Sequence, residues 1–117
     1  MVINNFWIAE TMKGYNTNIE KDTLSNNNFR KILYTCKHIQ LVLMSLRPGE
    51  EIGEEIHTEN DQSFRIEGGH GKCIIDGNEY EIKDGDAIVI PSGAKHNVLN
   101  WHPNRSENVY TLRSSSS

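Results

Sequence analysis

Short apolar segments separated by glycine, proline and asparagine turns run through this chain, and they restrict its fold more than any other feature. Segments such as "KILYT", "AIVI" and "NVYTLR" are rich in β-branched and apolar residues. No stretch keeps the 3.6-residue period of an amphipathic helix. Eight or nine such strands within a chain of 117 residues predict a single all-β domain, either a sandwich or a barrel.

The clearest hairpin surrounds an Asp-Gly pair. The segments "KCII" and "EYEI" flank Asp76 and Gly77. A two-residue loop of this type favours a tight turn in which both residues have positive φ. We therefore expect two paired strands here, with the turn between them.

Composition excludes several classes of partner. The net charge is −4 and lysines and arginines are scattered, so no basic surface for nucleic acid is expected. No apolar run approaches the roughly 20 residues of a membrane-spanning helix, and the first residues lack the features of a signal peptide. Cys36 and Cys73 form no CxxC pair. These features predict a cytoplasmic protein with two free thiols.

Candidate metal ligands lie near two turns. Glu55 and His57 are two residues apart on a short extended segment, so their side chains point to the same side. His96 begins a later strand, just after a corner that Pro91 and Gly93 fix. These residue types are ordinary ligands of divalent ions.

A further ligand could come from Asp61, the last residue of the polar turn "TEND", or from Gln62, which follows it. Gln62 alternates with Phe64 and Ile66, whereas Asp61 alternates with a serine and with Arg65. The apolar set is expected to face the core, because the opposite register would bury an arginine. The alternation therefore favours Gln62 over Asp61.

The segment from Gly85 to Asn100, which contains the corner before His96, resembles a motif of the cupin superfamily. In that motif a glycine, a proline, a second glycine, a histidine and an asparagine follow at fixed spacing. Here Gly85, Pro91, Gly93, His96 and Asn100 match every position. The chain is most similar to small single-domain cupins, such as those that resemble the metal domain of mannose-6-phosphate isomerases.

The first cupin motif is matched only in part. The family has His-x-His, then a glutamate, then a glycine. This chain has Glu55 in place of the first histidine and His57 in place of the second. The glutamate position aligns with Asp61 followed by Gly68, or with Gln62 followed by Gly69, and the spacing allows both.

The resemblance implies a cupin double-stranded β-helix, which is a jelly-roll barrel, over residues 29–112. Residues 1–28 are expected to form an irregular N-terminal arm, and residues 113–117 a frayed, serine-rich tail. A homodimer is also expected. The barrel would hold a divalent metal ion (Fe, Mn, Zn, Ni or Co) through Glu55, His57, Gln62 and His96. A small-molecule ligand would contact Phe64, Ile66, Val98 and Asn100.

Three functions follow from this site. The first is a metal-dependent enzyme of the dioxygenase or sugar-phosphate isomerase type, in which Glu55 is either a ligand or a base. The second is a non-catalytic cupin that binds or senses a small ligand or a metal. The third is a degenerate cupin that serves as a dimerising scaffold. No further acid or base stands at a spacing that brings it to the site, so catalysis stays open at this point.

Overall fold

The structure is a computed structural model that describes residues 14–116. Within that range it has one short helix, α1 (Ile19–Leu24), and nine strands. The strands are β1 (Lys31–Thr35), β2 (Gln40–Leu46), β3 (Glu55–Ile56), β4 (Gln62–Gly68), β5 (His70–Ile75), β6 (Asn78–Lys83), β7 (Ala87–Ile90), β8 (Lys95–Leu99) and β9 (Val109–Ser115).

The strands form two antiparallel sheets. One has the order β1-β2-β9-β4-β7, and the other has the order β3-β8-β5-β6. Leu46, Phe64 and Val109 from the first sheet pack with Cys73 and Val98 from the second in one buried core. The predicted all-β fold is confirmed. No helix in the part of the chain described here has the length and apolar character to cross a bilayer.

The hairpin of β5 and β6 turns at the predicted Asp-Gly pair. Asp76 has φ 48° and Gly77 has φ 83°, as the tight turn requires. The register pairs Ile75 with Asn78 across the loop. The hairpin prediction is therefore confirmed.

Strand β4 has the predicted alternation at its start. Gln62, Phe64 and Ile66 are buried, Ser63 is half-buried and Arg65 is exposed. The pattern breaks at a register shift between Ile66 and Gly68, and there two successive residues are buried. The inward side of β4 is thus set by its apolar residues.

Both predicted ends of the domain contain ordered structure. In the N-terminal arm, the Asn18 side chain accepts a hydrogen bond from Lys21 N at 3.0 Å and caps α1, and this helix packs on β9 and β4. Residues 1–13 of the predicted arm lie outside the described residues.

The serine-rich end differs from the predicted frayed tail. Strand β9 continues to Ser115, which pairs with Gln40 of β2 and with Gln62 of β4. Two neighbouring strands hold the backbone by its amide and carbonyl groups, so the small side chains of the serines are no obstacle to the strand. The described ordered structure therefore extends past the expected boundary at Leu112.

Candidate metal centre

Three predicted ligands come together where β3 pairs with β8. Glu55 lies directly opposite His96 in that pair, so both side chains leave the same face. Glu55 Oε1 is 3.2 Å from His57 Nε2 and 3.6 Å from His96 Nε2. Ligand atoms of the three residues all lie within 4.8 Å of one another and could hold a metal ion.

The His96 imidazole is oriented for ligation. Its Nδ1 lies 3.1 Å from the carbonyl oxygen of Ala94, and a carbonyl can only accept, so Nδ1 carries the proton. The neutral ring then has its lone pair on Nε2. That nitrogen is buried and has no hydrogen-bond partner in the described part of the chain. A backbone carbonyl that fixes the tautomer in this way is a common partner of a metal-bound histidine.

The corner before β8 holds both histidines in position. Gly93 has φ 88°, and its N–H donates to the carbonyl of His57 at 2.6 Å. Ala94 N donates to Pro91 O at 3.2 Å and closes the turn. The proline and glycine of the motif therefore form the turn that delivers His96, and the same turn fixes the backbone of His57.

Access to the cluster is one-sided. The His57 and Glu55 side chains are 36% and 32% exposed, whereas the His96 side chain is 0% exposed. Two of the three candidate metal ligands, Glu55 and His57, are thus partly exposed to solvent, and the third, His96, is buried beneath them. A buried imidazole nitrogen without a partner, beside a carboxylate and a second imidazole, fits a divalent ion.

Gln62 and Asp61 have different surroundings. Gln62 is 5% exposed, and its Oε1 has no partner within the described residues. It shares the inward side of β4 with Phe64, whose ring centre is 6.5 Å from that of His96. Asp61 is exposed and accepts a hydrogen bond from Ser92 N at 2.8 Å. Asp61 therefore fastens the corner, and Gln62 is the residue with an unused oxygen on the inward side.

The two glycines at the end of β4 also distinguish the two alignments of the first motif. Gly69, which follows Gln62 at the family spacing, has φ 91°, and a Cβ there would lie 2.2 Å from Asn108 O. Gly68, which follows Asp61, has no such φ, and its nearest neighbour is the flexible Leu24 side chain at 3.0 Å. The position that requires glycine is therefore the one that accompanies Gln62.

The predicted ligand-contacting residues divide into two groups. Phe64, Ile66 and Val98 belong to the buried core, and Phe64 adjoins His96. Their contact with a ligand stays a prediction. Asn100 is fastened within the protein, because its Nδ2 donates to Leu46 O and to Glu107 O, both at 2.9 Å, and its contact with a ligand also stays a prediction. Those bonds use both amide hydrogens to fasten the end of β2 and the loop before β9.

Arg113 is a site residue that the sequence interpretation missed. It is 5% exposed, and its Nη1 lies 3.7 Å from Glu55 Oε1. Burial lowers the pKa of its guanidinium most, the charge of Arg30 lowers it further, and the charge of Glu55 raises it. No local pattern marks it, because Leu112 beside it is also buried and an arginine is expected to face solvent.

A groove of about 460 Å³ beside β8 is separate from this cluster. Its lining includes Lys95, His96 and Asn97, together with Ile74 and Asp76. Lys95 and Asn97 alternate with His96, whose side chain is fully buried, so the groove follows the opposite side of the strand from the imidazole. The ligand cluster therefore does not open into this groove.

A family model described as a cupin domain matches residues 42–107 of this chain. The chain is 39% identical over 110 residues to the uncharacterized protein L612 of Acanthamoeba polyphaga mimivirus, covering 92% of this chain and 69% of L612. It is 44% identical over 94 residues to the uncharacterized protein YrkC of Bacillus subtilis strain 168. That match covers 75% of this chain and 50% of YrkC, so the chain matches half of YrkC's length.

The fold is similar to the crystal structure of BH2720 from Bacillus halodurans. The TM-score is 0.83 at 35% identity, and the match covers 87% of this chain and 80% of that one. Together with the family match, this likeness confirms the predicted double-stranded β-helix. The finer resemblance to the metal domain of mannose-6-phosphate isomerases stays a prediction.

Proposed function

Since this chain belongs to the cupin domain family, we propose that it binds a divalent metal ion inside its barrel and acts on a small molecule beside that ion. The observation that carries the proposal is the buried His96 Nε2, which has no hydrogen-bond partner among residues 14–116 and lies 3.6 Å from a carboxylate oxygen of Glu55. A nitrogen buried without a partner is costly unless something binds it. With His57 and Gln62 added, the proposed ligands are two imidazoles, one carboxylate and one amide oxygen.

The residues would share the work as follows. Glu55 would supply the negative charge, and its Oε1 lies near the Nε2 atoms of both histidines. His96 would supply the lone pair of Nε2, because its Nδ1 proton is held by the carbonyl of Ala94. His57 Nε2 lies 3.2 Å from Glu55 Oε1, and this nitrogen would bind the ion in the tautomer that carries its proton on Nδ1. A divalent ion in this site would supply Lewis acidity and open positions for substrate.

Oxygenase-type chemistry fits this donor set better than sugar-phosphate isomerisation. An isomerase needs a base that moves a proton at carbon. If Glu55, His57 and His96 all bind the metal, Arg113 is the one other ionisable residue among those described that forms an ion pair with Glu55. A guanidinium stays protonated and cannot act as that base. Isomerisation would therefore require Glu55 to act as base in place of binding the metal.

The same observation favours a second candidate, a cupin that binds a small molecule without transforming it. Such a protein needs the ligands and the surrounding side chains but no acid or base. The two candidates share the metal site and differ in turnover. Assays for oxygen consumption with metal-loaded protein and small-molecule panels separate them.

The direct test of the proposal is metal uptake. Protein stripped of metal is titrated with Fe(II), Mn(II), Zn(II), Ni(II) and Co(II), and uptake is measured by calorimetry and elemental analysis. We expect one ion per chain. His57→Ala and His96→Ala should each weaken binding by about 100-fold or more.

His70→Ala is the matched control. His70 pairs with Glu107 at 3.1 Å, away from the cluster, and its loss should leave metal binding unchanged. Stoichiometric metal in both the His57→Ala and the His96→Ala protein would refute the proposal.

A further inference from the structure

The proposed metal site leaves one buried cation unexplained, the guanidinium of Arg113. Strand β9 places Arg113 directly opposite Phe64 of β4 and Val42 of β2, and both of these neighbours are 0% exposed. Its Nη1 reaches to 3.7 Å from Glu55 on the other sheet. The guanidinium therefore lies between the two sheets, next to the ligand cluster.

Arg113 has too few partners for a buried charge. Its Nε has no hydrogen-bond partner in the described part of the chain, and the 3.7 Å contact with Glu55 is too long for a hydrogen bond. Arg30, an exposed residue, adds a repulsive charge that lowers the pKa of Arg113. A guanidinium keeps its proton inside proteins, so this charge requires an anion.

A bound ion would increase that requirement. Glu55 is the one acidic residue of the ligand cluster, and it would then be shared between a divalent cation and Arg113. The ligand cluster and Arg113 together would then carry a net positive charge, since the other buried carboxylate, Glu67, is already paired with Arg65. A neutral ligand would leave this charge uncompensated, whereas an anionic ligand would offset it.

We propose that Arg113 binds a carboxylate of the molecule that the metal site takes, so that the substrate class is small organic carboxylates. The Nε edge of a guanidinium presents parallel N–H groups that match the two oxygens of a carboxylate. The opposite part of the group, Nη1, faces Glu55. One carboxylate can thus contact Arg113 while another group of the same molecule reaches the ion. This inference rests on the proposed metal site.

The test is a calorimetric titration of malonate into the zinc-loaded protein at verified metal occupancy. Malonamide, of similar shape but uncharged, serves as the ligand control. We expect malonate to bind at least about tenfold more tightly than malonamide, and Arg113→Gln to weaken malonate by at least about tenfold. Arg105→Gln is the matched control, because Arg105 is also an arginine near a glutamate but is half exposed.

A second readout needs no ligand. Arg113→Gln removes a positive charge beside the ion, so zinc should bind this variant at least as tightly as it binds the unmodified protein. If Arg113→Gln does not fold, Arg113→Lys keeps the charge and removes the fork, and it should still weaken malonate. Equal malonate affinity of the substituted and unmodified proteins would overturn the inference.

The outcomes separate the two proposals. If the protein takes up zinc but binds malonate no better than malonamide, or binds inorganic phosphate more tightly than malonate, the carboxylate assignment is wrong and the metal site stands. If the protein takes up no metal, the proposed function is wrong. Malonate titrated into the metal-free protein and into Arg113→Gln then still decides the role of Arg113, since equal affinities overturn it.

Discussion

Glu55 and His96 lie opposite each other in the β3–β8 pair, with Glu55 Oε1 3.6 Å from His96 Nε2. The same oxygen is 3.2 Å from His57 Nε2 and 3.7 Å from Arg113 Nη1. One carboxylate oxygen is thus surrounded by two imidazoles and one guanidinium. This arrangement supports both the metal site and the anion subsite that we propose.

The first prediction concerns Gln62. Gln62→Ala should weaken metal binding by about tenfold, because it removes a buried oxygen that has no hydrogen-bond partner among the residues described. Gln62→Glu should strengthen binding, since it adds a second carboxylate, and should make binding more sensitive to pH because that carboxylate must be ionised. Metal titrations at several pH values measure both effects.

Asp61→Ala is the control for Gln62. It should leave metal content unchanged and cost about 1 kcal/mol of stability, through the lost hydrogen bond to Ser92. If Asp61→Ala lost the metal while Gln62→Ala kept it, the assignment of the ligand on β4 would be wrong.

The second prediction concerns the glycine after β4. Gly69→Ala should destabilise the protein by about 3 kcal/mol or more, because the new Cβ would meet backbone at 2.2 Å from Asn108 O. Gly93→Ala has a similar positive φ and open space around it, and should cost about 1 kcal/mol. Denaturant unfolding of the two variants gives the comparison. Equal losses would mean that φ alone, and not the close approach, requires glycine at position 69.

The third prediction concerns the buried thiol. Burial raises the pKa of Cys73 from its ordinary value of 9.0 to about 11, so the unreactive thiol form dominates at pH 8. Iodoacetamide should leave Cys73 unmodified in the native protein and modify it in denaturant, as peptide mass spectrometry can show.

The same shift has a consequence for stability. A pKa raised by folding means that the folded state holds the proton more tightly. The contribution of Cys73 is therefore fully present below pH 9 and is lost as the pH rises toward about 11. Cys73→Ala should remove this part of the pH dependence of unfolding. Rapid alkylation of native Cys73 at pH 8 would contradict the assignment.

The fourth prediction is the homodimer expected from the sequence. Strand β1 is an edge of the five-stranded sheet, and Ile32 on it is 55% exposed, so this edge can pair with a second copy. Light scattering at micromolar concentration should give the mass of a dimer, and Ile32→Glu should give a monomer. Val89→Glu, at the opposite edge, should remain dimeric. A monomer before any substitution would refute the prediction.

Much of the fold follows from local sequence. Asp76 and Gly77 set the hairpin because few other pairs accept two positive φ values. The order of the strands within the two sheets does not follow, since β9 inserts between β2 and β4 through pairings distant in sequence. The serines after Arg113 concealed the end of β9, because serine has little preference for strands and the backbone pairing alone holds it.

The candidate ligands could also be predicted from local sequence. Alternation puts Glu55 and His57 on one side and puts Gln62 with Phe64. The hydrogen bond of His96 Nδ1 could not be predicted from the sequence, because it depends on the conformation of the corner. The buried position of Arg113 could not be predicted either, because it depends on pairing with distant segments. The motif contains Asn100 but does not show its hydrogen bonds to Leu46 and Glu107, which join segments distant in sequence.

X-ray absorption spectroscopy of the zinc-loaded protein tests the central claim most directly. The account predicts one zinc ion per chain whose nearest shell contains oxygen and nitrogen at about 2.0–2.2 Å, with scattering from two imidazole rings. His96→Ala should lose one ring or lose the ion. A zinc shell without imidazole scattering, or an unchanged spectrum in both His57→Ala and His96→Ala, would contradict the metal centre described here.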